Sequence, residues 1–167
     1  PSNWITCITQ DKKTNIYFVG TIAGLIQIKN KPVNISRGTV IENQDITALC
    51  LIDNSNLLVG TLTGLYKFDF VENKVIKLKD LWVTSIKQLN EKEYIFADKS
   101  GLFLYNNINN KIIKYPLDLK SFFPINDVYG NFYINSIYRE GDNHIWIGTS
   151  YNRVFEIENS KITEYII

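Results

Sequence analysis

The feature that most constrains this chain of 167 residues is internal repetition. The segments NIYFVGTIAGLIQIKNKPVNI (15–35), NLLVGTLTGLYKFDFVENKVIKL (56–78) and NHIWIGTSYNRVFEIENSKITEY (143–165) share one grammar: an apolar run ending in Gly-Thr, a polar turn, then a second apolar alternation. Aligning Val19-Gly20-Thr21 with Val59-Gly60-Thr61, Ala97-Asp98-Lys99 and Ile147-Gly148-Thr149 gives offsets of 40, 38 and 50. A second landmark precedes each: Ile5-Thr6-Cys7-Ile8, Ile46-Thr47-Ala48-Leu49, Val83-Thr84-Ser85-Ile86 and Ile134-Asn135-Ser136-Ile137. The two landmarks lie 14, 13, 14 and 13 residues apart, so four copies of one unit are present. Self-similarity at such a period marks a stack of units that bury their apolar faces against one another.

Each copy holds four short runs of Ile, Val, Tyr and Phe separated by turn residues such as DKKTN, DNSN, NEKE and EGDN, which read as four strands. Parallel neighbours need crossovers of a dozen or more residues, so turns this short imply an antiparallel meander. About 40 residues folded as four antiparallel strands describe a β-propeller blade. The expected fold is all-β, a propeller fragment of about four blades at 3–36, 44–79, 82–116 and 132–167, with an insertion at 117–132 before the fourth. In the first blade the strands fall near Ile5–Gln10, Ile16–Thr21, Leu25–Lys29 and Pro32–Ile35. The small residues Cys7, Ala48, Ser85 and Ser136 suit a first strand in the tight space along a propeller axis. Phe18, Leu58, Phe96 and Trp146 form one column of a buried second strand. Gly24, Gly64 and Gly101 supply positive φ for the next turn. In the fourth copy TSYNRV leaves Asn152 to make that bend.

Lysine and arginine number 18 against 17 aspartate and glutamate, and no basic block offers a footprint for phosphate backbones, so nucleic acid is not an expected partner. No apolar run approaches the roughly 20 residues of a bilayer-crossing helix, and membrane contact by this segment is not expected. The two cysteines, Cys7 and Cys50, form no CxxC or Cys/His cluster, and no metal or other cofactor is implied. Their opposed registers disfavour a disulfide. The lone histidine, His144, falls in a turn where solvent surrounds it, and no catalytic constellation accompanies it.

HIWIGTSYNRVFEIE, with its weaker copies LLVGTLTGLYKFDF and IYFVGTIAGLIQIK, resembles the two-component regulator propeller repeat, an apolar-Trp-apolar-Gly-Thr run followed by Gly-Leu and an aromatic alternation. The resemblance implies the periplasmic sensor region of a hybrid two-component histidine kinase, an inner-membrane protein that detects carbohydrate. It also implies a homodimer in the full-length protein and further blades, or a second chain, to cover the apolar blade faces.

Long loops on a rigid scaffold often carry binding function. The segment LDLKSFFPINDVYGNF at 117–132 contains Phe122, Phe123, Asn126, Asp127 and Tyr129, and the fourth copy's turn contains Tyr151, Asn152 and Arg153. With Trp4 and Trp82, which precede first strands, these are the candidate contacts for an oligosaccharide or other small ligand: flat apolar faces mixed with hydrogen-bonding groups. The leading expectation is a non-catalytic sensory module. The alternatives are a protein-binding scaffold and a propeller lyase or hydrolase; for an enzyme the first strands offer mainly Thr6, Thr47, Thr84 and Asn135 at the axis.

Overall fold

A computed structural model describes residues 4–98, 101–116, 133–141, 144–150 and 152–167. The described residues contain no helix and form four antiparallel sheets, each of four strands in sequence order. The first sheet comprises β1 (Ile5–Asp11), β2 (Ile16–Thr21), β3 (Gly24–Ile28) and β4 (Pro32–Asn34). The second comprises β5 (Ile46–Leu51), β6 (Asn56–Thr61), β7 (Leu65–Asp69) and β8 (Lys74–Lys79). The third holds β9 (Ser85–Gln88), β10 (Glu93–Asp98), β11 (Gly101–Asn106) and β12 (Lys111–Lys114). The fourth holds β13 (Ile134–Glu140), β14 (His144–Thr149), β15 (Arg153–Glu158) and β16 (Lys161–Ile166). The chain divides into two compact units, residues 1–83 and 84–167, with two sheets in each.

Register explains the repeated grammar. Cys7 pairs with Gly20, Ala48 with Gly60 and Ser136 with Gly148 across the first two strands of their sheets. A Cβ on Gly20 would lie 2.5 Å from Cys7 Sγ, and one on Gly148 2.5 Å from Ser136 Oγ. The small residue and the glycine are therefore two halves of one tight cross-strand pair, a more local reason for the small column than space along an axis. The threonine after the glycine closes the following turn. Thr21 Oγ1 accepts from Ala23 N at 3.1 Å and donates to the Gly24 carbonyl at 2.9 Å. Thr61 Oγ1 accepts from the amides of Thr63 and Gly64, both at 3.0 Å.

The third copy needs a correction of one residue. Ser85 pairs with Ala97, not Asp98, so Ala97 occupies the glycine position and Asp98 the threonine position. Asp98 Oδ1 duly accepts from Gly101 N at 3.0 Å, capping the turn with a carboxylate instead of a hydroxyl. The column two residues before the glycine is then Phe18, Leu58, Ile95 and Trp146. Gly24 and Gly101 have φ of 112° and 140°, as the turn requires. Gly64 does not adopt positive φ; it is kept small because a Cβ would meet Lys77 Cε at 2.8 Å and the Lys79 carbonyl at 3.0 Å.

Other hairpin turns among the described residues are built from Asp and Asn. Asp53, Asp69, Asn90 and Asn106 each accept backbone amides two and three residues on. Asn15, Asn73, Asn110 and Asn159 take left-handed φ between 49° and 56°, a conformation Asn tolerates better than most residues.

In the first unit the facing sheets enclose Phe18, Leu25, Ile46, Leu57, Val59 and Phe68, with Ile41 inserted from the 37–44 join. Phe18 and Phe70 meet with ring centroids 4.8 Å apart. In the second unit the corresponding seam joins Ile95, Ala97 and Leu102 to Ile137, Ile145, Ile147, Phe155 and Ile157. Burying each large apolar side chain contributes about 1.5–3 kcal/mol, whereas a turn hydrogen bond contributes about 1 kcal/mol. The seams between sheets hold each unit together, and the turns set register.

Candidate ligand-binding face

The turns from second to third strand, at 21–24, 61–64 and 149–153, mark one end of their sheets, where the expected ligand contacts concentrate. In the fourth sheet these side chains are tied to the neighbouring strand. Asn152 Nδ2 donates to the Ile167 carbonyl at 2.9 Å while Ile167 N donates to the Asn152 carbonyl at 2.8 Å. The Arg153 guanidinium pairs with Glu164, and Arg153 lies opposite Ile166 in the β15–β16 ladder. Both residues thus secure β16 within the sheet, a role their turn position did not announce. Thr149 Oγ1 donates to the Arg153 carbonyl at 2.9 Å, the fourth copy's version of the threonine cap.

Trp4 stands just ahead of β1 with 73% of its surface exposed, and its carbonyl accepts from Ile22 N at 3.4 Å. Trp82 is half-buried in the short join between the second and third sheets. Trp4 and Trp82 therefore both stand ahead of first strands as expected, with Trp4 offering a broad apolar surface. Asn126, Asp127, Tyr129 and Tyr151, together with Phe122 and Phe123, lie outside the described residues.

Two expectations change on the outer face of the fourth sheet. His144 is not a solvated turn residue but the first residue of β14. Its Nε2 lies 2.7 Å from Glu156 Oε1 and its Nδ1 3.5 Å from Glu140 Oε2. Trp146 is half-buried, not core: Ile145 and Ile147, its neighbours in β14, face the seam of the unit, and Trp146 points the other way. Its indole Nε1 donates to Glu140 Oε2 at 3.4 Å, and its ring lies 5.3 Å from His144 and 5.7 Å from Tyr165. The Tyr165 hydroxyl donates to Glu156 Oε2 at 2.6 Å.

This bond, followed by burial acting against it and the His144 contact, holds the Glu156 carboxyl below its ordinary range. The same bond raises the Tyr165 phenol. The cluster was accessible to reasoning by strict alternation, because Glu140, His144, Trp146 and Glu156 fall on one face once β13, β14 and β15 are in register. It presents aromatic surface with acceptor groups at its edge, and it includes no serine or cysteine nucleophile.

The first-strand threonines are occupied. Thr6 Oγ1 donates to the Ile46 carbonyl, Thr47 Oγ1 to the Val83 carbonyl at 2.6 Å, and Thr84 Oγ1 to the Ala97 carbonyl at 3.3 Å. The first two reach from one first strand to the residue that begins the next copy. Hydroxyls bonded to backbone carbonyls in this way act as structural pins. Among the described residues, no group of three or more His, Cys, Asp or Glu is placed to hold a metal ion. Cys7 and Cys50 form no disulfide, and burial pushes the Cys7 thiol above its ordinary value, which favours its protonated form.

Residues 130–151, which include all of β14, match the family described as two component regulator propeller. No curated protein matches the chain. Among solved structures, the extracellular domain of BT3049, named a hybrid two component system, from B. thetaiotaomicron superposes with a TM-score of 0.72 at 20% identity over 98% of this chain. The extracellular domain of BT4673 from the same organism, named a one component system, gives 0.72 at 20% over 95%. Virginiamycin B lyase from Staphylococcus aureus gives 0.70 at 14% over 98% of this chain and 56% of its own. The chain spans only 23% and 22% of the two B. thetaiotaomicron domains. At these identities the superpositions establish the fold and leave chemistry open, as a lyase among them illustrates. The chain is an all-β propeller segment that carries a two component regulator propeller repeat at residues 130–151.

Proposed function

We propose that this chain is part of the ligand-sensing region of a two-component system, exposed on the periplasmic side of an inner membrane and recognising a carbohydrate or related small ligand without chemistry of its own. The observation that carries the reading is the two component regulator propeller repeat at 130–151. The solved extracellular domains with the same blade architecture support it. The first-strand threonines, committed to backbone carbonyls, weigh against a lyase or hydrolase. In this reading ligand binding favours one packing of the propeller within a homodimer, and a kinase domain elsewhere in the polypeptide responds to the shift in population.

The test is a thermal-shift screen of the complete ectodomain against plant and host oligosaccharides, since a ligand that binds the native state raises its melting temperature by mass action. The expected result is a shift with a restricted set of glycans that Tyr151→Ala or Asp127→Ala abolishes. Arg153→Ala serves as the control for stability, because it breaks the pair with Glu164. A second reading, a protein-binding scaffold, is favoured by the aromatic outer face of the fourth sheet, where Tyr138 is 61% exposed beside half-buried Trp146. No shift across the panel, together with capture of a partner that Tyr138→Ser and Trp146→Ser prevent, establishes that reading instead.

A further inference from the structure

The two units differ at one place where the repeat predicts sameness. In the first unit the outer part of the seam is filled by Phe18, Phe68, Phe70 and Ile16. The same register positions in the second unit are Ile95, Ile157, Asn159 and Glu93. Three aromatic rings are replaced by smaller side chains, and an isoleucine by a carboxylate. A cleft of about 640 Å³ results, within the range of small-molecule sites. Its floor is Leu104, Ile145 and Ile157, Tyr115 forms a wall, and Glu93, Asn159 and Ser160 stand at the rim.

The polar rim has unspent hydrogen-bonding capacity. Among the described residues the Glu93 carboxylate receives one side-chain bond, from Asn90 Nδ2 at 2.9 Å, and meets no cation. The hydroxyl of Tyr115 makes no hydrogen bond among them, and burial raises its phenol above the ordinary value. Asn159 and Ser160 hold left-handed φ of 49° and 67°, so the backbone itself disfavours the bulky aromatic that fills this position in the first unit. Among the described residues, Glu93 is the only charged group lining the cleft.

We propose that this cleft binds a small organic monocation, an ammonium or guanidinium on a compact apolar stem. The stem lies on Leu104, Ile145 and Ile157 against the Tyr115 ring, and the charge meets Glu93. The apolar floor supplies area and the carboxylate supplies sign: Glu93 repels an anion, and a neutral isostere would forgo the charge-assisted hydrogen bond. This site is separate from the sugar-sensing reading and stands or falls without it.

The test is calorimetric titration of the chain with phenethylammonium, 2-phenylethanol and 3-phenylpropionate. The expected order is binding by the cation, binding at least about tenfold weaker by the alcohol, as befits loss of one charged hydrogen bond, and none by the acid. Glu93→Gln, which keeps the shape and the Asn90 contact, should remove the cation's advantage over the alcohol. Ile157→Phe, which restores the ring found at Phe68 in the first unit and leaves Glu93 in place, should block the cation and the alcohol alike. Equal binding of cation and alcohol by the unaltered chain, or binding untouched by Ile157→Phe in a variant with native circular dichroism, overturns the proposal. So does the absence of any binding by phenethylammonium at millimolar concentration.

Discussion

At the scale of single residues, the pairing of a small side chain with glycine makes sharp demands that differ between copies. Among the described residues, a Cβ on Gly148 would meet only Ser136, at its Oγ, with the Ser136 Cβ an ordinary 3.9 Å away. Gly148→Ala should therefore cost about 1–3 kcal/mol, and Ser136→Ala in the same chain should restore most of it. Gly20 is different, because its Cβ would also lie 2.7 Å from Ile46 Cγ2. Gly20→Ala should stay destabilised when Cys7→Ala is added. Chemical denaturation of the four variants measures both outcomes. The glycine positions were legible in the sequence, but the third copy was read one residue out of step. Asp98 looks nothing like threonine, yet it caps the same turn, and identity conceals what hydrogen bonding makes equivalent.

At the scale of the strand and hairpin, the pins and the acidic cluster carry measurable consequences. Thr47→Val keeps the shape of the side chain and removes its bond to the Val83 carbonyl, and should cost about 1 kcal/mol. Glu156 has a carboxyl held below its ordinary value of 4.5, so its contribution to stability is present above that value and is lost as pH falls through the depressed one. Tyr165 has a phenol raised above 10.0, so its contribution is present below that value and is lost as pH rises through the raised one. Glu156→Gln should flatten both limbs of a plot of melting temperature against pH, and should leave the middle of the profile least altered in shape.

The strands themselves were legible because alternation and turn residues are local: β2, Ile16–Thr21, falls where the pattern puts it. Trp146 was not legible. A column position says which way a side chain points, but not whether anything lies in front of it. The partners of Asn152 and Arg153 were not legible for a related reason: Ile167 and Glu164 lie in or beside a strand that only the folded ladder brings alongside.

At the scale of the molecule, each unit is a pair of sheets closed by one apolar seam, and the same register position supplies the contact each time. Phe18 serves it in the first unit and Ile95 in the second. Trp146 holds that position on the fourth sheet, with Tyr138 opposite it in register and Tyr165 5.7 Å away, ring to ring. A surface of this kind should make the isolated chain self-associate as concentration rises. Trp146→Ser should reduce the association seen by light scattering while changing stability little, because the apolar seam of its unit lies on the other face.

The threonine pins add something of a different order. Thr6 and Thr47 each reach forward to the backbone of the copy that follows, and a carbonyl is the same acceptor whatever side chain it carries. A joint made this way asks nothing of the identity of its neighbour. Whole blades can therefore be duplicated, deleted or exchanged by recombination within a gene without a matching change elsewhere, and the outer positions, such as those that separate a filled seam from an open cleft, are left free to diverge.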